Sequence, residues 1–177
     1  MKLNEIKSIG IVGAGTMGSG IAQMSAMAGY KTTIFDIQET ALEKAKTAVT
    51  KNLDKGIEKG KVSEDQKDAC LANISFISDL EQLKADVIIE AIVEKLPVKI
   101  DLFSKLEKIN LESTILATNT SSIPITQIGA GLQNPERLVG MHFFNPAHIM
   151  KLVEIISGAS THPEIAATTK ALAEKMG

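Results

Sequence analysis

The sequence predicts an α/β fold, a doubly wound and mostly parallel sheet with helices on both faces. Three observations predict it. Short apolar runs rich in β-branched residues alternate with longer segments whose apolar residues recur every three or four positions. The first run ends in Gly13, Gly15 and Gly18, spaced G-x-G-x-x-G, and the second closes on an acid, Asp36. Polar residues then gather after later strands, at 90–94, 119–122 and 142–145. In an open parallel sheet, that is the end where ligands sit.

In chain order, Ile9, Ile11 and Val12 form the first strand, and a helix with Ile21, Ala22, Met24 and Ala28 follows until Gly29. The second strand covers 31–36. A long helix then carries Leu42, Ala45, Val49, Leu53 and Ile57 on one face and Lys44, Lys46, Lys51, Lys55 and Lys59 on the other, ending at Gly60. Ser63 and Gln66 form a capping box for a shorter helix to about Ala72. This pair, about 38–72, exceeds what a crossover between strands needs and reads as a helical excursion after strand two. Buried strands are expected at 74–77 and 87–90. Pro97 opens a helix with Val98, Leu102, Phe103, Leu106 and Ile109. A strand at 114–118 and a short helix at 124–128 follow. Two last strands, 138–142 and 152–156, are joined by a loop too short for a helical crossover, so they form an antiparallel edge. Thr161 and Glu164 cap a final helix.

Composition sets the outer limits. With 177 residues, 44% hydrophobic and 23% charged, and no linker or repeat, the chain reads as one globular domain, 1–177. A net charge of −2 leaves no basic footprint for nucleic acid. No apolar run approaches the roughly 18 residues of a membrane span. The N-terminus lacks a signal-peptide pattern, and the lone Cys70 fits a reducing compartment, so a cytoplasmic location is expected. Cys70 reads as a small apolar side chain on a helix face.

The glycine turn carries the first chemical inference. Gly13 permits the tight turn, Gly15 lets a pyrophosphate approach the backbone, and Gly18 lets the helix pack closely on the strand. The unpaired N–H groups at the helix start suit a diphosphate. Asp36, about 20 residues on, can accept both adenosine ribose hydroxyls and would repel a 2′-phosphate, which favours NAD over NADP. A glycine-rich turn is the bland alternative. The strand, helix, strand and acid around it argue for dinucleotide binding.

Other residues are more ambiguous. His142 ends an apolar strand and is either a satisfied structural histidine or a general base. The antiparallel edge can bring Glu154 beside it, fixing the ring's tautomer and leaving the other nitrogen free. Glu154 is otherwise a sheet carboxylate satisfied by backbone or by Lys151. Ser121 and Ser122 either donate to a substrate oxygen or cap the short helix near Pro124. Lys55 and Lys59, one turn apart, hold a phosphate or form a solvated face. His148 and His162 have no such support, His162 reading as a solvated turn residue, and nothing has metal-ligand spacing.

Five stretches together resemble one family. They are Gly13-Ala-Gly-Thr-Met-Gly18, Glu90-Ala-Ile-Val-Glu94, Ala117-Thr-Asn-Thr-Ser-Ser122, Gly140-Met-His-Phe-Phe-Asn-Pro146 and Met150-Lys-Leu-Val-Glu154. The chain resembles the N-terminal NAD-binding domain of the L-3-hydroxyacyl-CoA dehydrogenases, and among them the bacterial 3-hydroxybutyryl-CoA enzymes. The resemblance implies a Rossmann-type domain, NAD as cofactor and an acyl-CoA substrate, with reversible oxidation of the 3-hydroxyl to a ketone. It implies His142 as base, Glu154 as its partner and Ser121 on the reacting oxygen. Gly13, Gly15, Thr16, Met17, Gly18, Asp36, Glu94, Lys99, Ser121 and Asn145 would line the cofactor site, with Lys99 and Asn145 on the nicotinamide half. Asn52, Lys55 and Lys59, with Ser121, would meet the coenzyme A substrate. Family members continue for about another hundred residues, the size of one more domain. That helical domain supplies an active-site asparagine, substrate closure and most of a homo-oligomer interface. The chain is therefore expected to be the cofactor-binding portion, inactive or weakly active alone. A dehydrogenase of another hydroxy acid, of the gulonate type, and a non-catalytic NAD(H)-binding module are the alternatives.

Overall fold

Alternating apolar runs and amphipathic segments become seven strands and six α-helices in the computed structural model, which describes residues 1–177. The first half of the chain holds β1 (Ser8–Val12), α1 (Thr16–Met27), β2 (Lys31–Phe35), α2 (Glu39–Glu58), α3 (Glu64–Ala72), β3 (Ile74–Ile77) and β4 (Val87–Glu90). The second half holds α4 (Leu96–Ile109), β5 (Ile115–Thr118), α5 (Ile125–Gly129), β6 (Leu138–Phe143), β7 (Val153–Ile156) and α6 (Pro163–Met176). One sheet results, in the order β3-β2-β1-β4-β5-β6-β7. Every neighbouring pair is parallel except β6–β7, the expected antiparallel edge.

Strand side chains alternate between two cores, as a pleated sheet covered on both faces requires. Ile9, Ile11, Val87, Ile89, Ile115, Ala117, Val139 and Met141 join the core under α1 and α6. Val12, Ile88, Leu116 and Leu138 point the other way, against Leu102, Phe103 and Leu106 of α4 and Ile128 of α5. Because both faces are covered, the only open edges of the central strands are their ends. The order reverses between β1 and β4, which places the switch point of the sheet at the glycine turn.

The excursion is itself the β2–β3 crossover, split into two helices. Leu42 and Ala45 of α2 belong to the main core. Val49 and Leu53 instead pack on Ala26 of α1 and Cys70 of α3 in a separate small cluster. The second half of α2 thus leaves the sheet on its own support, with Ile57 only half-buried. Ser63 accepts the Gln66 N–H, and Gln66 accepts the Ser63 N–H, closing the capping box. Cys70 is buried, and burial pushes its thiol pKa up to about 11.

Four local expectations need correction. β3 is half-buried rather than buried, because it is the edge strand. Val98 is exposed and Lys99 takes its place on the inward stripe of α4, with Leu102, Phe103 and Leu106. α6 is capped by His162, whose Nδ1 accepts the Glu164 N–H, while Thr161 Oγ1 accepts the Gly158 N–H and donates to Leu138 O. Neither Ser121 nor Ser122 caps α5, whose N-cap is Pro124.

Candidate active site

β1 delivers the chain to Gly13, whose φ of +103° favours glycine. A Cβ there would lie 2.6 Å from Ala91 O, and one on Gly18 would lie 1.8 Å from Gly13 O. Both glycines are demanded by the fold. Gly15 is different, because a Cβ there meets nothing within 4 Å. The N–H groups of Gly15, Thr16, Met17 and Gly18 donate no hydrogen bond within the chain and lie at the positive end of α1. Asp36 follows β2 directly and is half-buried. Its Oδ2 accepts the Ala14 N–H and its Oδ1 the Gln38 N–H, each at 2.9 Å. These bonds aim the carboxylate at the turn, and each oxygen keeps a lone pair for a ribose hydroxyl. Backbone donors, open space and an acceptor-only carboxylate fit a dinucleotide.

A buried charge cluster lies on the other side of the switch point. Glu90 ends β4 fully buried, and Lys99 is 1% exposed. Lys99 Nζ donates to Glu90 Oε1 at 2.5 Å and pairs with Glu94 Oε2 at 3.2 Å. Thr118 donates to Glu90 Oε2 at 2.7 Å. Glu94, at 36% exposure, gathers the loop after β5: its Oε1 accepts the Thr120 hydroxyl, the Ser121 and Ser122 N–H groups, and the Ser122 hydroxyl. Burial pushes the Glu94 pKa upward, but the Thr120 hydroxyl and the Lys99 ammonium outweigh it and hold the group at about 2. Glu94 is therefore ionised at neutral pH. Lys99 sits beneath this edge, enclosed, and does not line an open groove. Ser121 is exposed, and its own hydroxyl makes no hydrogen bond within the chain.

The antiparallel register sets His142 opposite Glu154. His142 Nδ1 and Glu154 Oε2 are 2.9 Å apart. An ionised carboxylate only accepts, so Nδ1 carries the proton and Nε2 of the neutral ring holds the free lone pair. The ring is 19% exposed and tilts against Phe144 at a centroid distance of 4.7 Å. Glu154 pairs with His142, not with Lys151. Because β5 and β6 are neighbours, His142 and the loop carrying Ser121 leave the same edge of the sheet. Asn145 is exposed in the loop beyond β6.

Asn52, Lys55 and Lys59 do not join these groups. They line a cleft of about 450 Å³ between the second half of α1, α2 and residues 147–151, together with Lys61, Lys151 and His148. Asn52 donates to Gln23 of α1 at 3.3 Å. Burial, and after it the Lys55 ammonium, pull the His148 pKa below its ordinary value. Ser121 lies outside this cleft, in the loop after β5.

Sequence reasoning assigned no individual role to Glu90, Thr118, Thr120, Asn119 or His148. For Glu90 a signal existed: a carboxylate closing the apolar run 87–90 needs a buried cation, and Lys99 falls on the apolar stripe of the next helix. His148 gave none, since only packing brings it to Lys55.

Residues 8–177 match the family described as 3-hydroxyacyl-CoA dehydrogenase, NAD binding domain. The chain is 46% identical over 174 residues to a probable 3-hydroxybutyryl-CoA dehydrogenase of Bacillus subtilis, covering 98% of this chain and 61% of that protein. It is 39% identical to the 3-hydroxybutyryl-CoA dehydrogenase of Mycobacterium tuberculosis, covering 95% of this chain and 59% of the relative. The crystal structure of (S)-3-hydroxybutyryl-CoA dehydrogenase from Ralstonia eutropha superposes with a TM-score of 0.95 at 40% identity, covering 98% of this chain and 62% of that one. The chain thus spans about three-fifths of the length of these relatives.

Proposed function

Because this chain belongs to the NAD-binding domain family of the 3-hydroxyacyl-CoA dehydrogenases, we propose that the polypeptide carrying it oxidises an L-3-hydroxyacyl-CoA reversibly to the 3-ketoacyl-CoA, with 3-hydroxybutyryl-CoA as the expected substrate. One observation carries this reading. The register pair His142–Glu154 leaves a base nitrogen free on the sheet edge that also bears the glycine turn and the Ser121 hydroxyl. A binding module has no need of an oriented base.

Bound NAD supplies the hydride acceptor. The turn from Gly13 to Gly18, with Thr16 and Met17, takes the diphosphate, and Asp36 takes the adenosine ribose. His142 Nε2 accepts the hydroxyl proton as the carbon–hydrogen bond breaks, and the Glu154 carboxylate steadies the imidazolium that forms. Ser121 donates to the reacting oxygen. Glu94 and Lys99 hold the floor of the nicotinamide half, and Asn145 lies at its rim. Asn52, Lys55 and Lys59 meet the coenzyme A phosphates across the cleft. Oxidation releases a proton, so rising pH favours the ketone.

The test is reduction of acetoacetyl-CoA by NADH in the intact polypeptide that carries this chain. His142→Gln is expected to lower kcat by about a hundredfold or more while NADH affinity stays unchanged. Wild-type turnover in that variant excludes the base role. Wild-type protein that turns over no acyl-CoA ends the dehydrogenase reading.

A further inference from the structure

The loop after β5 bears Ser121, yet residues 119–122 belong to no helix or strand. Its fixity comes from its hydrogen bonds. Glu94 gathers Thr120, Ser121 and Ser122 from one side. Thr120 Oγ1 accepts the Ile123 N–H at 3.0 Å, and the Asn119 N–H donates to Glu90 O at 2.8 Å. The bonds to Glu90 and Glu94 tie the loop to β4 and the segment after it, and the Thr120–Ile123 bond stiffens the loop itself. They do nothing to relate it to β6, which carries His142.

One side chain spans that gap. The β5–β6 ladder pairs Thr118 with Gly140 and goes no further. Past its end, Asn119 Oδ1 accepts the N–H of Phe143 at 2.8 Å. Phe143 is the residue after His142 and is buried in the core under α1, so its N–H has no mobile end. The Asn119 amide thus extends a backbone ladder by one rung, from the loop that carries the hydroxyl to the strand that carries the imidazole.

We propose that Asn119 is a positioning residue that holds the Ser121 hydroxyl in register with the His142 imidazole, a role that rests on the dehydrogenase reading above. Ser121 and His142 must meet one substrate oxygen together. Removing the rung leaves each anchored on its own strand but lets the distance between them drift. A misplacement of about 1 Å in such a pair costs on the order of a hundredfold in rate.

The experiment uses the intact polypeptide with acetoacetyl-CoA and NADH. Asn119→Ala is expected to lower kcat by about tenfold or more, with KM for NADH changed less than about twofold, because the loss falls on the transition state. Asn119→Asp keeps an acceptor oxygen in place and drops the side-chain N–H groups, which have no partner in the chain, while adding a negative charge; it is expected to recover a clear part of the kcat lost in Asn119→Ala. Asn119→Ala with wild-type kcat, or Asn119→Asp as impaired as Asn119→Ala, overturns the proposal. Amide hydrogen exchange on the unsubstituted 177-residue chain guards against variants that fail to fold. Protection of the Phe143 N–H supports the rung, and free exchange there overturns it. That measurement needs no substrate, so it separates failure of the rung from failure of the dehydrogenase reading, which shows as an inactive wild type.

Discussion

The two ends of α1 present donors in two different ways. At its N-terminus the donors are backbone N–H groups, fixed by a turn that Gly13 and Gly18 alone can make. Along its C-terminal half the donors are long side chains, Lys55, Lys59, Lys61 and Lys151, reaching into a cleft built on a separate small cluster. Gly13 and Gly18 of the first region cannot be altered without altering the fold. The second can be, because lysine side chains carry their charge far from the backbone that anchors them. The contrast teaches that a site made of main chain is rigid and exacting, whereas a site made of side chains is separable and graded.

Substitutions at the glycines should show this most strongly. Gly18→Ala places a methyl group against the Gly13 carbonyl and is expected to lower stability by about 3 kcal/mol or more and to abolish NADH binding. Gly15→Ala meets no protein atom, so thermal melting should be unchanged while NADH affinity falls by about tenfold or more, the methyl occupying the diphosphate's place. Melts and fluorescence titrations on the two variants read both effects. Wild-type NADH affinity in Gly15→Ala would remove the diphosphate from the turn.

At the other end of the helix the expected effects are smaller and leave the fold alone. Lys55→Ala combined with Lys59→Ala should raise KM for acyl-CoA by about tenfold, without changing KM for an acyl-pantetheine or the melting temperature. Equal changes for both substrates would mean that the lysines touch no phosphate. The smallest effect concerns His148. Its pKa lies below the ordinary value in the free protein, so the ring is neutral at pH 7. Phosphate in the cleft would offset the lysine charges and raise that pKa. Binding would then take up a proton, and affinity would rise as pH falls through the bound-state pKa and level off below the free-state one. An NMR titration of His148 with and without coenzyme A measures this directly, and identical curves would remove His148 from the anion's surroundings.

Much of the site was legible from residue order because its parts are local. Gly13, Gly15, Gly18 and Asp36 sit on one β-α-β unit, where spacing translates directly into geometry. His142 and Glu154 were also within reach, since a short loop between two strands leaves only an antiparallel pairing, though their register came from the structure. Lys99 was harder. Periodicity put Val98 on the apolar face, and the resemblance put Lys99 on the nicotinamide half; the structure exposes Val98 and buries Lys99, because Glu90 and Glu94 supply the counter-charges that let an ammonium be buried. His162 rather than Thr161 caps α6, because Thr161 Oγ1 already accepts the Gly158 N–H and donates to Leu138 O.

By itself, the sequence determined the alternation of strands and helices, the glycine turn and the acid beyond the second strand, which depend on residues near one another in the chain, and the likeness to a dehydrogenase family, which rests on short local stretches. Tertiary structure alone decided that Lys99 lies under the loop that bears Ser121, that Asn119 bridges to Phe143, and that His148 meets Lys55 across a cleft. The physical reason is that a buried charge or a polar side chain takes its partner from whatever the fold brings within about 3 Å, and that distance has no counterpart in the order of the residues.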